Sequence, residues 1–303
     1  MEKRNDHRVI CFGEVLWDIL PSGAVPGGAP MNVTYHLHKQ GKDPALITRI
    51  GDDEKGKQLK EIFSRFGVRT DYFQVDKEHE TGKVFAFPNE RNEVVYDIVK
   101  PVAFDFIAWD DTYENLVSDA EYFVFGSLAA RSKTSADTLH QLFEKANTKV
   151  LDINLRAPHY ERPLLESLMG RTDFLKLNIA ELNLITAWYS KHTAVSDMVR
   201  VLSEHFGIPD IVVTMGGDGA FLFMEGHEYF HPGFSVEVKD TVGSGDAFLA
   251  GLLSKLMDKE KPEDALEFAN GLGAFIATKT GACPEYEVEE VVDLISKKAG
   301  MKI

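Results

Sequence analysis

The sequence predicts an α/β fold with a mostly parallel sheet sandwiched by helices, and three observations predict it. Short β-rich runs alternate with amphipathic segments along most of the 303 residues; one pair of strands around a polar turn breaks that rhythm; and from residue 243 onward the pattern becomes helical. Apolar strands joined by crossover helices bury both faces of a parallel sheet. The length suits one large domain, or one with a sizeable insert, and repeats, Pro-rich linkers and low-complexity runs are absent.

The elements follow in order. "RVICFGEVLWDI" (8–19) reads as a strand followed by the helix "NVTYHLHKQG" (32–41); "ALITRIG" (45–51) precedes "KGKQLKEIFSRFG" (55–67), and "EYFVFGSL" (121–128) precedes "TSADTLHQLFEKA" (134–146). "KVLDINL" (149–155), "FLKLN" (174–178) and "DIVVTMGG" (210–217) are further strands, each followed by helical spacing. "TGKVFAFPNERNEVVYDIV" (81–99) reads instead as two antiparallel strands around "NERN", a small β lid. "GSGDAFLAGLLSKLMD" (243–258), "PEDALEFANGLGAFIATKTG" (262–281) and "VEEVVDLISKKA" (288–299) are helices. One domain over 1–303 with a hairpin insert at about 81–100 is expected.

Composition excludes some functions. An apolar fraction of 44% is that of an ordinary globular protein, while 33 basic against 48 acidic side chains, a formal charge of −15, oppose a nucleic-acid surface. No apolar run approaches the ~18–20 residues that span a bilayer, and "MEKRNDHR" is a charged start, so a cytoplasmic protein without a membrane partner is expected. Cys11 and Cys283 belong to no C-x-x-C pair and read as buried, reduced thiols.

Three motifs mislead. "HEYFH" (227–231) matches the zinc-peptidase pattern, but its β-rich setting around Glu225-Gly226 puts the two imidazoles about 13 Å apart at a strand rise of ~3.3 Å per residue. "GDDEKGKQ" (51–58) fits a phosphate loop until Gln58 replaces the magnesium-holding Ser or Thr, and its acidic interior would repel phosphates; it reads as a loop capping the next helix. Gly243 and Gly245 begin a dinucleotide fingerprint that fails at Phe248.

"DTVGSGDAF" (240–248) carries the chemistry. Gly243, Ser244 and Gly245 can turn their N–H groups toward one point at a helix start, a cradle for negative charge. Asp246 at its rim would repel a bound phosphate but is well placed to take a proton from an attacking hydroxyl, which suggests phosphoryl transfer to an alcohol; a plain helix-capping carboxylate is the alternative.

This stretch resembles the D-T-x-G-[AS]-G-D signature of the ribokinase/fructokinase (PfkB-type) sugar kinases. "GGAPMNVTYHLHKQG" (27–41) resembles their sugar-site motif, "NIAE" (178–181) their N-x-x-E, and "TMGGDG" (214–219) their nucleotide motif. The resemblance implies a ribokinase-like three-layer α/β/α sandwich and ATP, Mg²⁺ and a small-molecule sugar as ligands. It implies Asp246 as general base and the Gly243, Ser244 and Gly245 amides as the anion hole. Asn178 and Glu181 resemble the pair that organises triphosphate and magnesium, largely through water, while Thr214, Gly216, Gly219 and Asn270 fall on the nucleotide side. Asp18, Gly27, Gly28 and Asn32 resemble the sugar-hydroxyl site, and Arg156 an arginine that meets phosphate or an acidic substrate.

The hairpin corresponds to the family's lid, with Phe85, Phe87 and Tyr96 offered to the sugar, and a homodimer through the lid is the expected assembly. Met31 and Ser244 depart from the commoner Ala. Glu285 stands near a position where some members use a Ser as a monovalent-cation ligand, which bears on a K⁺ site near Asp240. "GEVLWDILP" (13–21) resembles fructokinases most, so fructose is the expected sugar; a 2-keto-3-deoxygluconate kinase, with Arg156 on the carboxylate, a ribokinase-type kinase and a non-catalytic sugar or nucleotide sensor are the alternatives. Retention of Asp246, the cradle glycines and the Asn178/Glu181 pair argues against the sensor, since binding alone needs no base.

Overall fold

The computed structural model describes residues 7–20, 23–88 and 94–299, which form two compact units. The first holds β1 (Val9–Phe12), β2 (Leu16–Leu20), β3 (Gly23–Gly27), α1 (Ala29–Lys39), β4 (Pro44–Gly51), α2 (Glu54–Arg65), β5 (Phe73–Asp76), β6 (Gly82–Pro88), β7 (Val94–Ile98), α3 (Thr112–Ser118), β8 (Tyr122–Gly126) and α4 (Lys133–Phe143). Its main strands run β8-β1-β4-β5, all parallel. β1, "VICF", is buried throughout, as a strand covered on both faces must be.

The first strand of the sequence reading is in fact two. Gly13 adopts φ +142°, open to glycine, and a Cβ there would stand 2.8 Å from the Pro30 ring. The chain breaks at that point, and β2 enters a second sheet of order β3-β2-β6-β7. The hairpin is antiparallel as expected, from Val84↔Ile98 to Pro88↔Val94, but it is half of a four-stranded sheet rather than a free insert; the "NERN" tip lies outside the described residues. Leu16, Val84 and Ile98 pack with Val102, Phe104 and Leu128 into a core on one face of this sheet. Strand alternation places Phe85 and Phe87 on the other face, 41% and 47% exposed. Asp18 pairs with Val84 and shares the inner face, so the two phenylalanines turn away from it. Tyr96's side chain lies outside the described residues.

A buried ion pair ties the chain that follows β7. Asp105 accepts from Arg131 Nε at 2.6 Å and Nη2 at 2.9 Å and from Val102 N at 3.0 Å, while Arg131 Nη2 also donates to Val99 O at 2.7 Å. The guanidinium covers the Phe104 ring at 4.6 Å, and both side chains are at most 1% exposed.

The second unit holds β9 (Thr148–Asp152), α5 (Arg162–Met169), β10 (Phe174–Asn178), α6 (Ile179–Thr186), α7 (Val195–Phe206), β11 (Asp210–Thr214), β12 (Ala220–Met224), β13 (His227–His231), α8 (Ser244–Met257), α9 (Pro262–Ala277) and α10 (Val288–Ala299). β9, β10 and β11 are parallel, and β12 and β13 add an antiparallel hairpin around Glu225 and Gly226, both at positive φ as a tight two-residue turn requires. α8 crosses α9 closely, since a Cβ on Gly251 would meet Leu272 and Ala269 at 3.2 and 3.3 Å. No helix among the described residues is long and apolar enough to cross a membrane.

Candidate active site

Ligands of parallel sheets gather beyond the carboxyl ends of the strands, where helices begin. In the second unit β10 and β11 end side by side, Asn178 in register with Thr214. Asn178 leads directly into α6 as its cap: its side-chain oxygen accepts from Glu181 N at 2.9 Å while Glu181 Oε2 accepts from Asn178 N at 2.8 Å. Glu181 Oε1 accepts from Leu155 N at 2.8 Å, fixing the loop after β9, where Asn154 holds φ +39°. Burial raises the Glu181 pKa; the two N–H bonds oppose that rise and the nearby Asp152 carboxylate adds to it.

The 240–248 loop is shaped by its neighbours. Gly243 caps α8 at φ +75°, and a Cβ there would lie 2.6 Å from both Cα and Cβ of Ala282, so conformation and space both demand glycine. Asp240 Oδ1 accepts from Val242 N and Oδ2 from Gly281 N, each at 3.0 Å, which ties this loop to the segment after α9. Ser244 N donates to Thr241 O at 3.2 Å and closes the turn, so its amide is less open to a ligand than the sequence suggests. Asp246, 9% exposed, stands in the first turn of α8, where N–H groups lack intrahelical partners. Burial and the Asp246 charge push the Cys283 thiol up, and burial, eased by the Thr34 hydroxyl, pushes Cys11 up to about 12; neither cysteine is a ready nucleophile.

Sequence reasoning missed the charge beneath this loop. Lys176, third residue of the strand "FLKLN", is 6% exposed and donates from Nζ to Asp152 Oδ2 at 2.7 Å across the β9–β10 register. Burial works against its charge, but Asp152, Asp246 and Glu181 hold its pKa above the ordinary value. The signal was present: a lone lysine inside an apolar parallel strand needs a buried partner, and "KVLDINL" offers one on the adjacent strand.

The other nucleotide-side positions divide. Gly216 has φ +60° with open space at its Cβ position, whereas a Cβ on Gly219 would strike His231 O at 1.9 Å, so packing alone accounts for that glycine. Asn270 is buried and its amide donates to Leu266 O at 2.8 Å within α9. Arg156 is exposed; its guanidinium donates to Leu155 O at 3.3 Å and makes no ion pair among the described residues.

The sugar-side residues meet in the first unit. A Cβ on Gly27 would fall 2.2 Å from Asp18 Oδ2, so the carboxylate lies over bare backbone. Gly28 has φ +119° and would clash with Glu14 O at 2.4 Å, and its carbonyl accepts from Asn32 N at 2.9 Å in α1, leaving Asn32 5% exposed. The misleading motifs resolve as structure. Asp53 caps α2, accepting from Gly56 N at 2.8 Å, and it also accepts from Thr81 N and Oγ1. "HEYFH" is the strand β13, with Glu228 bonded to Arg200 and Ser196. His227→Ala with His231→Ala is therefore expected to leave turnover within about twofold, and elemental analysis to find no stoichiometric zinc, because strand spacing keeps the rings too far apart for one ion.

Residues 22–288 match the pfkB family carbohydrate kinases. Fructokinase-2 of Zea mays is 30% identical, over 95% of this chain and 94% of that protein. The fructokinase of Xylella fastidiosa solved with bound ATP superposes with a TM-score of 0.84 at 23% identity, over 96% of this chain and 98% of that one. The fructokinase of Vibrio cholerae O395 solved with fructose, ADP and calcium gives 0.81 at 25% identity, over 96% and 99%. With its ribokinase-like α/β fold and a helix-capping glycine loop beside a buried aspartate, the chain belongs to the pfkB family of carbohydrate kinases, phosphotransferases acting on a sugar hydroxyl.

Proposed function

We propose that the protein transfers the γ-phosphoryl group of ATP to a hydroxyl of fructose. The observation that supports this most is the full-length similarity to fructokinases, joined to a buried carboxylate in the first turn of a helix whose cap must be glycine. The sugar oxygen bonds to the γ-phosphorus as the bond to the β–γ bridging oxygen breaks, leaving ADP and a sugar phosphate, and the hydroxyl proton passes to Asp246. The amides of Gly243 and Gly245 and the positive end of α8 stabilise charge on the group in flight, with Ser244 setting the turn. Asp18 and Asn32 pair with sugar hydroxyls over the bare backbone of Gly27 and Gly28. Thr214 and Gly216 face the nucleotide, with Gly219 shaping their loop and Asn270 behind it.

Magnesium suits the Asn178/Glu181 end. Each Glu181 oxygen accepts one N–H and keeps a lone pair, which fits an ion held through water, and such an ion when bound neutralises the β- and γ-phosphates. At Asp240 each oxygen likewise accepts one backbone N–H and keeps a lone pair, so the carboxylate is compatible with a monovalent cation such as potassium near it. The exposed face of Phe85 and Phe87 is the surface a homodimer through the lid would cover.

Arg156 favours a second reading, because its guanidinium has no carboxylate partner among the described residues and could pair bidentately with an acidic sugar. Fructose is expected to show a higher kcat/KM than ribose, adenosine or keto-deoxygluconate, since each buried polar group left unpaired by a misfit costs about 1–3 kcal/mol. All four substrates are to be measured with wild type and Arg156→Ala. Keto-deoxygluconate as the best wild-type substrate, losing its lead in the variant, would establish the second reading instead.

A further inference from the structure

Lys176 is a cation buried in the body of the sheet, its charge sustained by carboxylates against the cost of burial. It sits in an apolar strand, 6% exposed, with Nζ 3.4 Å from the place a Cβ on Gly245 would occupy. That places an ammonium beneath the positive end of α8, where like charges disfavour each other. Its partner Asp152 is 3% exposed, and Asp152 Oδ1 has no hydrogen-bond partner. A buried pair serving stability alone is commonly replaced by apolar residues at no loss. The helix end and the ammonium share one thing, which is attraction for the same anion.

We propose that Lys176 is a positioning residue of the phosphoryl transfer: clamped by Asp152 beneath Gly245, it adds a fixed positive charge under the anion cradle. The inference rests on the reading of the 243–246 loop as the site of the group in flight. Charge on that group spreads over its outer oxygens in the transition state, and a buried charge already in place stabilises it without reorganisation. Because Lys176 acts through the loop and does not touch the reactants, its removal falls on kcat more than on KM.

The test compares wild type, Lys176→Met, the double variant Asp152→Leu with Lys176→Met, and Asp246→Asn, using kcat, KM for sugar and ATP, and thermal melting. The single variant strands Asp152 and is expected to melt early; the double variant removes both charges together and is expected to recover the wild-type melting temperature. The proposal expects that recovered protein to keep both KM values within about threefold while kcat stays roughly 10- to 100-fold low, less than the loss of a donor that touches the reacting group. A double variant whose kcat returns to within about threefold of wild type, or whose loss lies in KM, would make the pair structural and overturn the proposal. Asp246→Asn separates the two ideas, since retained activity there removes the base assignment whatever Lys176 does.

Discussion

Asp246→Asn is expected to fold and to bind ADP as wild type does, while kcat falls by roughly 10²–10⁴, the usual worth of a positioned general base. Asparagine has nearly the same shape and is tolerated at the start of a helix, so α8 should keep its geometry. Lys176 remains paired with Asp152 at 2.7 Å, so the substitution leaves no cation stranded. What is lost is an acceptor for the hydroxyl proton. Circular dichroism and ADP calorimetry report the fold and the binding; a coupled ADP-release assay reports turnover. A variant retaining more than about half of the wild-type rate would remove Asp246 from the role of base.

Asp105→Ala should produce the largest loss of stability. Arg131 would keep its bond to Val99 O and its place over Phe104 but lose both charge-assisted bonds inside a region at most 1% exposed. Removing one partner of a buried pair costs about 3–5 kcal/mol, because the other charge stays behind without compensation. For a protein of this size the melting temperature should fall by roughly 5–8 °C. Asp105→Leu with Arg131→Met should be milder, since no charge is left buried. A single variant melting within about 2 °C of wild type would show that water reaches the guanidinium.

Periodicity made most of the second unit legible. Parallel strands buried on both faces are apolar runs, and "FLKLN" and "DIVVTMGG" became β10 and β11, although β11 leads into the hairpin β12–β13 and not into the helix expected after it. The same rule misled at "RVICFGEVLWDI", because apolar continuity does not register a backbone break, and only the positive φ of Gly13 separates β1 from β2. The strand β3 was hidden for the opposite reason: "GAVPG" is rich in residues that mark turns, yet it pairs antiparallel with β2. Motif reading singled out Asp246 and Gly243 as candidates, but it could not tell that the Ser244 amide is already engaged or that Gly219 is fixed by packing. The first is a turn between Thr241 and Ser244 that the residue types leave open, and the second depends on β13 and the residues after it.

The contacts that mould the glycine loop limit how far its signature can travel. Ala282 fills the space beside Gly243, and the Gly281 amide grips Asp240 across 41 residues of sequence, so part of the instruction for the loop's shape is stored after α9. Grafting 240–248 alone onto another scaffold would transplant the letters without the mould. Redesign of this loop therefore has two segments as its smallest unit of exchange, and a side chain larger than alanine at 282 would rewrite the loop without altering any residue within it.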